Sequence, residues 1–241
     1  MKILVLGHKG MLGHMVCDYL TTKELDVITT DYRYPSPEFC DKVKSFDGDY
    51  IINCIGSIPQ KSDKFDINTE LPIWLELNAS SKIIHPGTDC EMDSDSYGIS
   101  KKAASDYIIN SNSKTKILKS SIIGPELNSN KSLLEWFLAN EEASCSGYTL
   151  AMWNGVTTLE WAKQCIAMIY NWYSYPVETV LYTTCISKFD LLQTIAEIYN
   201  KNIEILPVNL GKDKCLLSGT NTGTIKEQLI ELKTYYYDNK R

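Results

Sequence analysis

Lys2-Ile3-Leu4-Val5-Leu6-Gly7-His8-Lys9-Gly10-Met11-Leu12-Gly13 is an apolar run that breaks into three glycines and resumes as an apolar pattern of a different period. The β-branched and leucine residues up to Leu6 predict a short buried strand, and Met11 to Leu20 carries apolar residues at helical spacing. The chain thus opens strand, glycine turn, helix. Working outward, Asp26 to Thr30 reads as a second strand ending at Asp31, and Asp49 to Ile55 as a third. Pro35 and Pro37 mark the loop between them. Leu71 to Leu77 reads as a helix with Pro72 in its first turn, where a missing N–H has no partner to lose. Ser81 to His85 is a fourth strand, Tyr97 to Ile109 a helix, and Lys116 to Ile123 a fifth strand stopped by Gly124-Pro125.

Strands alternating with helices predict an α/β fold, a doubly wound parallel sheet covered on both faces. After Gly124 the pattern changes. Helices are expected over Ser132 to Ala139, Leu159 to Tyr173, Phe189 to Tyr199 and Thr224 to Leu232, with Gly147 to Trp153 irregular or extended. Val180 to Thr183 is expected to rejoin the sheet, and Ile203 to Val208 is extended. With no repeat or low-complexity linker, residues 1–241 read as a single domain whose small C-terminal cap comes mainly from 125–160 and 185–241.

The composition is that of an ordinary globular protein: 241 residues, 44% hydrophobic, with 24 Lys and Arg against 30 Asp and Glu. A formal charge of -6 provides no general field for nucleic acid, and no local basic patch stands out. No apolar run reaches membrane-spanning length, and the N-terminal run is too short for a signal-peptide core, so a soluble cytoplasmic protein is expected. The eight cysteines include no CxxC pair, and most sit in apolar patterns, so they are expected to be buried free thiols. With three histidines, no metal site is expected.

The glycine turn has a chemical meaning at that position. Side chains at Gly7, Gly10 or Gly13 would obstruct the tight turn, the approach of backbone to a pyrophosphate, and the packing of helix on strand. The free N–H groups at the start of the helix, around Gly10, Met11 and Leu12, then favour phosphate. The turn predicts dinucleotide binding in a Rossmann-type sheet. Asp31, about 20 residues on, suits the ribose hydroxyls of NAD(H). Lys9 and Arg33, with Tyr32 between Asp31 and Arg33, offer cations to the 2′-phosphate of NADP(H) instead, and the choice between the cofactors stays open.

Tyr97-Gly98-Ile99-Ser100-Lys101 places a phenol and an ammonium at i and i+4 on one helix face. A tyrosine is a poor acid or base near neutrality, and an adjacent ammonium stabilises its phenolate, so such a pair suits proton transfer to a carbonyl oxygen. Thr88 follows the fourth strand at the carboxyl edge of the sheet, where ligands bind in such folds.

Together these motifs resemble the extended short-chain dehydrogenase/reductase superfamily, and within it the dTDP-4-dehydrorhamnose reductase-like group. Asn53-Cys54-Ile55-Gly56, Ile67-Asn68, Thr88-Asp89-Cys90, Ser121 to Glu126 and Trp153 to Leu159 carry the likeness with the glycine turn and the Tyr97/Lys101 pair, over most of residues 1–175. The resemblance implies NAD(P)H-dependent reduction of the 4-keto group of a nucleotide-linked 6-deoxyhexose, in rhamnose-type deoxysugar biosynthesis. Tyr97 would be the proton donor, Lys101 would tune it and hold the nicotinamide ribose, and Thr88 would polarise the keto group. Asn53, Cys54, Ile55 and Gly56 would line the cofactor trough, and Asn68 would support the relay through its helix. Thr88, Asp89, Cys90, Trp153 and Asn154 would meet the nucleotide-sugar substrate, although a core tryptophan explains Trp153 equally well. Dimers joined through the Tyr97 helix are also implied, while ordinary core packing accounts for the same apolar residues.

The pattern departs from the group in one place. Only eight residues separate Thr88 from Tyr97, where a longer loop normally covers the sugar. Eight residues reach roughly 26 Å, enough for the two groups to meet. Two other readings therefore stand beside the reductase: a catalytically weak NAD(P)- or sugar-nucleotide-binding subunit or regulator, and a nucleotide-sugar epimerase or dehydratase with Asp89 and Glu91 as acid and second carboxylate.

Overall fold

The computed structural model describes residues 1–111 and 113–238. The chain begins β1 (Lys2–Leu6), α1 (Met11–Thr22), β2 (Asp26–Thr29), α2 (Pro37–Lys44), β3 (Tyr50–Asn53), α3 (Ile67–Asn78), β4 (Lys82–Gly87), α4 (Ser96–Asn110) and β5 (Thr115–Lys119). It continues with β6 (Ile122–Ile123), α5 (Leu133–Ala139), β7 (Ser144–Tyr148), β8 (Met152–Trp153), β9 (Val156–Thr157) and α6 (Thr158–Tyr170). The last elements are β10 (Glu178–Tyr182), β11 (Ile186–Ser187), α7 (Lys188–Tyr199), β12 (Glu204–Val208), β13 (Thr220–Asn221) and α8 (Ile225–Leu232). Two compact units result: Met1–Lys119 with Ala162–Thr179, and Ser120–Trp161 with the residues from Val180 onward.

Seven strands make the central sheet in the order β13-β10-β5-β4-β3-β1-β2. Pairing is parallel from β2 through β5 and again between β10 and β13. The strand order reverses between β1 and β3, and in open α/β sheets the crevice at that switch point is the ligand site. The sheet ends at β2, without the further outer strand of a 3-2-1-4-5-6 arrangement. In the first unit Leu4, Leu6, Ile51 and Ile83 pack on Phe39 and Val43 of α2 and on Leu71 and Leu75 of α3. Ile3 and Val5, on the alternate positions of β1, are fully buried too. A strand covered on both faces requires an unbroken apolar run, and this is why Lys2–Leu6 does not alternate.

Several expectations need correction. The Pro35/Pro37 segment is not all loop: Ser36 caps α2 by accepting from the Phe39 N–H at 3.2 Å, and Pro37 takes the first helical position. Helix α3 begins at Ile67, so Pro72 lies in its interior and not its first turn. The polar residues at its start are held by tertiary bonds, with Thr69 Oγ1 donating to the Ser100 carbonyl at 2.8 Å. Strand β5 stops at Lys119, and Ile122–Ile123 pairs instead with Val156–Thr157 in the second unit. The 147–153 region, expected to be irregular or extended, carries strand at both ends: the end of β7, parallel to β12, and β8, antiparallel to β11. The cysteines are not all free: Cys185 and Cys215 form a disulfide, with Cα atoms 6.0 Å apart. The six others are thiols, of which Cys165 alone is fully buried. Asp213 places a carboxylate within 4.8 Å of both bridged sulfurs. No helix among the described residues is long and apolar enough to cross a membrane.

The first turn depends on the absence of a side chain at Gly13. A Cβ there would stand 2.1 Å from the Gly7 carbonyl oxygen, and Gly7 itself has φ +79°. Gly13→Val is therefore expected to force α1 off β1 and to lower the unfolding free energy by about 2 kcal/mol or more. Urea unfolding of the variant beside the wild type measures this, and an unchanged midpoint would disprove the close packing.

Candidate active site

The glycine turn joins the carboxyl end of β1 to the amino end of α1. The Gly10 N–H donates to the Gly7 carbonyl at 2.9 Å, closing the turn, and Gly10 caps α1 with no side-chain hydrogen bond. The first N–H groups of α1 thus lack a side-chain acceptor, as an anion site at a helix start requires. Gly10 is exposed, Met11 half-buried and Leu12 buried. Asp31, just past β2, is joined to Lys9 of the turn at 2.5 Å and lies 3.5 Å from His8. The Lys9 hydrogen bond and charge hold its carboxyl below the ordinary value. Two residues that the sequence offers as rivals for the adenosine ribose thus form one ion pair. Arg33 is exposed and makes no ion pair among the described residues, and Tyr32 is 55% exposed.

On the other side of the switch point, Asn53 ends β3 fully buried, and its Oδ1 accepts the Ile55 N–H at 3.1 Å. Asn68 is also buried. Its Oδ1 accepts from Ser57 N–H at 2.7 Å, and its Nδ2 donates to the Ser57 carbonyl at 2.9 Å and to Ser100 Oγ at 3.2 Å. Asn68 therefore ties the segment after Gly56 to helix α4. Cys54 is a half-buried thiol, and burial pushes its pKa well above the ordinary value.

Thr88 leaves β4 and caps a 3-10 turn over Asp89–Met92. Its N–H donates to Glu91 Oε1 at 3.0 Å, while its hydroxyl donates to Asp89 Oδ1 at 3.0 Å and accepts from the Cys90 N–H at 3.3 Å. Asp95 then caps α4 by accepting the Gly98 N–H at 2.7 Å. The short segment folds back only because residue 98 is glycine: a Cβ there would lie 2.3 Å from the Cys90 carbonyl oxygen. The result sets the Thr88 hydroxyl close enough to the Tyr97 phenol to influence its ionisation. Burial, and next the Cys90 thiol, push the Tyr97 phenol up to about 12, against the lowering effect of the Thr88 hydroxyl. Phe65 packs edge-on against the Tyr97 ring at 5.7 Å.

Lys101, one turn on, is 7% exposed. Its Nζ donates to the Pro86 carbonyl at 2.7 Å and lies 3.4 Å from His85 Nε2. Burial brings its ammonium down to about 8, with Glu91 opposing and Lys119 assisting. Glu91 itself is committed: besides the Thr88 N–H it pairs with Lys119 at 2.8 Å, and Lys119 also pairs with Glu178. His85, Gly98, Lys119 and Glu178 are the site residues that sequence reading missed. For Gly98 a signal existed inside the Tyr97–Lys101 motif; the β4–β5 pairing assembles His85 and Lys119, and β10, the neighbour of β5 in the sheet, brings Glu178. Trp153 and Asn154 belong to the second unit, 3% and 4% exposed. The Asn154 amide is occupied by the backbone of Leu216, donating to its carbonyl and accepting its N–H, both at 2.8 Å.

No protein-family model and no curated protein matches the chain. Solved structures do. A dTDP-4-dehydrorhamnose reductase from Bacillus anthracis str. Ames in complex with NADP is 15% identical, with a TM-score of 0.76 over 98% of this chain and 99% of that one. A UDP-glucose 4-epimerase from Thermotoga maritima with UDP-glucose is 16% identical, with a TM-score of 0.75 over 100% and 99%. A dTDP-glucose 4,6-dehydratase from Bacillus anthracis str. Ames in complex with NAD is 15% identical, with a TM-score of 0.72 over 100% and 97%. The chain shares with these three enzymes of different reaction type the Rossmann-type α/β fold with a parallel central sheet.

Proposed function

We propose that this protein is an NAD(P)H-dependent oxidoreductase of the short-chain dehydrogenase/reductase type, which reduces the 4-keto group of a nucleotide-linked 6-deoxyhexose in rhamnose-type deoxysugar biosynthesis. The observation that carries the reading is that the chain brings Thr88 beside Tyr97, with Lys101 buried one turn beyond. The cradle of Gly7 to Gly13, the bare amino end of α1, and Asn53 to Gly56 at the switch point fit a dinucleotide, with Asp31, Lys9 and Arg33 around its adenosine ribose. Bound there, the reduced nicotinamide supplies hydride to the keto carbon. Tyr97 then gives its phenolic proton to the keto oxygen, the Thr88 hydroxyl turns from Asp89 to donate to the same oxygen, and an alcohol results. A phenol held near 12 keeps its proton at neutral pH, as an acid in the reductive direction must, and the Lys101 ammonium stabilises the phenolate left behind.

Elimination chemistry is supported less well. It needs a free second carboxylate, and both Glu91 oxygens are engaged, one by the Thr88 N–H and the other by Lys119. The binding-protein alternative keeps only the short Thr88–Tyr97 segment in its favour.

Purified protein given a nucleotide 4-keto-6-deoxyhexose is expected to consume NADPH or NADH absorbance, and Tyr97→Phe to lower kcat by roughly 10²–10⁴-fold while still binding cofactor. No turnover with intact cofactor binding would refute the reductase and favour the binding protein. Reduction is expected to fall as pH rises through about 8, because there Lys101 passes from ammonium to amine and the phenolate loses its counter-charge. A kcat/KM profile level to pH 10 would contradict that role. Asp31→Asn releases Lys9 from its ion pair and removes the ribose acceptor, so the NADPH:NADH preference is expected to rise roughly tenfold, about the worth of one charged hydrogen bond. Fluorescence titration with both cofactors measures it, and an unchanged ratio would place both charges outside the site.

A further inference from the structure

We infer that the buried pair Asn53–His85 is a positioning device that sets the charge of Lys101 by presenting an imidazole N–H to it; its consequence for turnover rests on the reductase reading. The argument runs outward from the backbone. The Ile55 N–H can only donate, and it meets Asn53 Oδ1 at 3.1 Å, so the amide NH₂ of Asn53 faces the opposite way. There it meets His85 Nδ1 at 3.2 Å. Nδ1 is thereby the acceptor, and a neutral imidazole must carry its proton on Nε2. His85 is neutral: it is 1% exposed, and burial, then Lys101, hold its pKa well below the ordinary value.

The Nε2–H is directed at Lys101 Nζ, 3.4 Å away. An ammonium there meets a donor with a donor, whereas the neutral amine offers a lone pair that the N–H complements. The Pro86 carbonyl, 2.7 Å from Nζ, accepts from either form. The remaining charged groups facing Lys101 divide. Glu91 of the 3-10 turn favours the ammonium, Lys119 of β5 disfavours it while paired to Glu91 and Glu178, and Tyr97 on the same helix is a neutral phenol. Burial and the imidazole N–H thus leave Lys101 poised between its two forms near pH 8, where a surface lysine would be fully charged.

Asn53→Asp tests this with little change of shape. One carboxylate oxygen still accepts the Ile55 N–H, while the other now requires a proton on His85 Nδ1 and turns a bare Nε2 toward Lys101. Lys101 is expected to hold its proton about one pH unit higher or more, a tenfold change in its equilibrium. The pH dependence of Lys101 acetylation by acetic anhydride, followed by mass spectrometry, reads this without substrate, and the alkaline limb of kcat/KM is expected to move with it. Adding His85→Phe keeps the new negative charge but removes the tautomer, and is expected to bring most of the shift back. Long-range ¹H–¹⁵N correlation on the wild-type protein is expected to show His85 protonated on Nε2. A proton on Nδ1, equal titration of Lys101 in wild type and Asn53→Asp, or a shift fully kept in the double variant would each overturn the inference. Absence of turnover in the wild type overturns the reductase reading alone, because both other readouts are taken without substrate.

Discussion

The close approach of α1 to β1 is the constraint on which the first unit rests. With the Gly7 carbonyl 2.1 Å from where a Gly13 Cβ would stand, the helix start is held against the strand end. That contact aims the N–H groups of α1 into the crevice where the strand order reverses. Packing also explains the composition of the strands: β1 is covered on both faces and reads as the unbroken run Ile3-Leu4-Val5-Leu6, while β3 and β4 each carry a buried pair, Ile51-Ile52 and Ile83-Ile84. Most surface positions tolerate change, but the turn tolerates none of the side chains that would make it wider.

A second close approach governs the catalytic groups. The segment between Thr88 and Tyr97 is short, yet it is neither slack nor strained into reach. The Thr88–Glu91 capping box turns it, Asp95 caps the next helix, and Gly98 lets that helix sit on the Cys90 carbonyl. Glu91, the same side chain that closes the capping box, anchors Lys119 from the neighbouring strand. A buried carboxylate so engaged costs less to desolvate, since its lone pairs are satisfied and its charge is paired. The consequence is chemical as well as structural: a carboxylate that holds the turn is withdrawn from acid–base work. The charge of Lys101 is then shaped by what stands behind it, on strands that are distant in sequence but adjacent in the sheet.

Much of this was legible in the residues. The strand–glycine–helix opening is local, written in a dozen consecutive positions, and the Tyr97/Lys101 pairing follows from helical periodicity alone. Asp31 and Lys9 are both visible as candidate ribose contacts. That they form one ion pair is not, because spacing brings both toward one ribose without saying which partner each side chain takes. Helix α2 was hidden by Pro35 and Pro37, the second of which occupies the single helical position that favours proline. Pro72 misled for the converse reason: tertiary bonds from Asn68 and Thr69 start α3 a full turn earlier than its apolar residues suggest.

The sequence by itself determined the succession of strands and helices from β1 to β5 apart from α2, the glycine turn and the presence of a Thr, Tyr and Lys in the right succession, because each depends on neighbours within one turn or one strand. Only the tertiary structure decided which partners those side chains keep. The Cys185–Cys215 bridge, the Asn154–Leu216 bonds, the Glu91–Lys119–Glu178 chain and the His85 imidazole beside Lys101 all join residues separated by a loop or a whole element. Such contacts depend on burial and geometry set by the whole sheet, and no local periodicity encodes them.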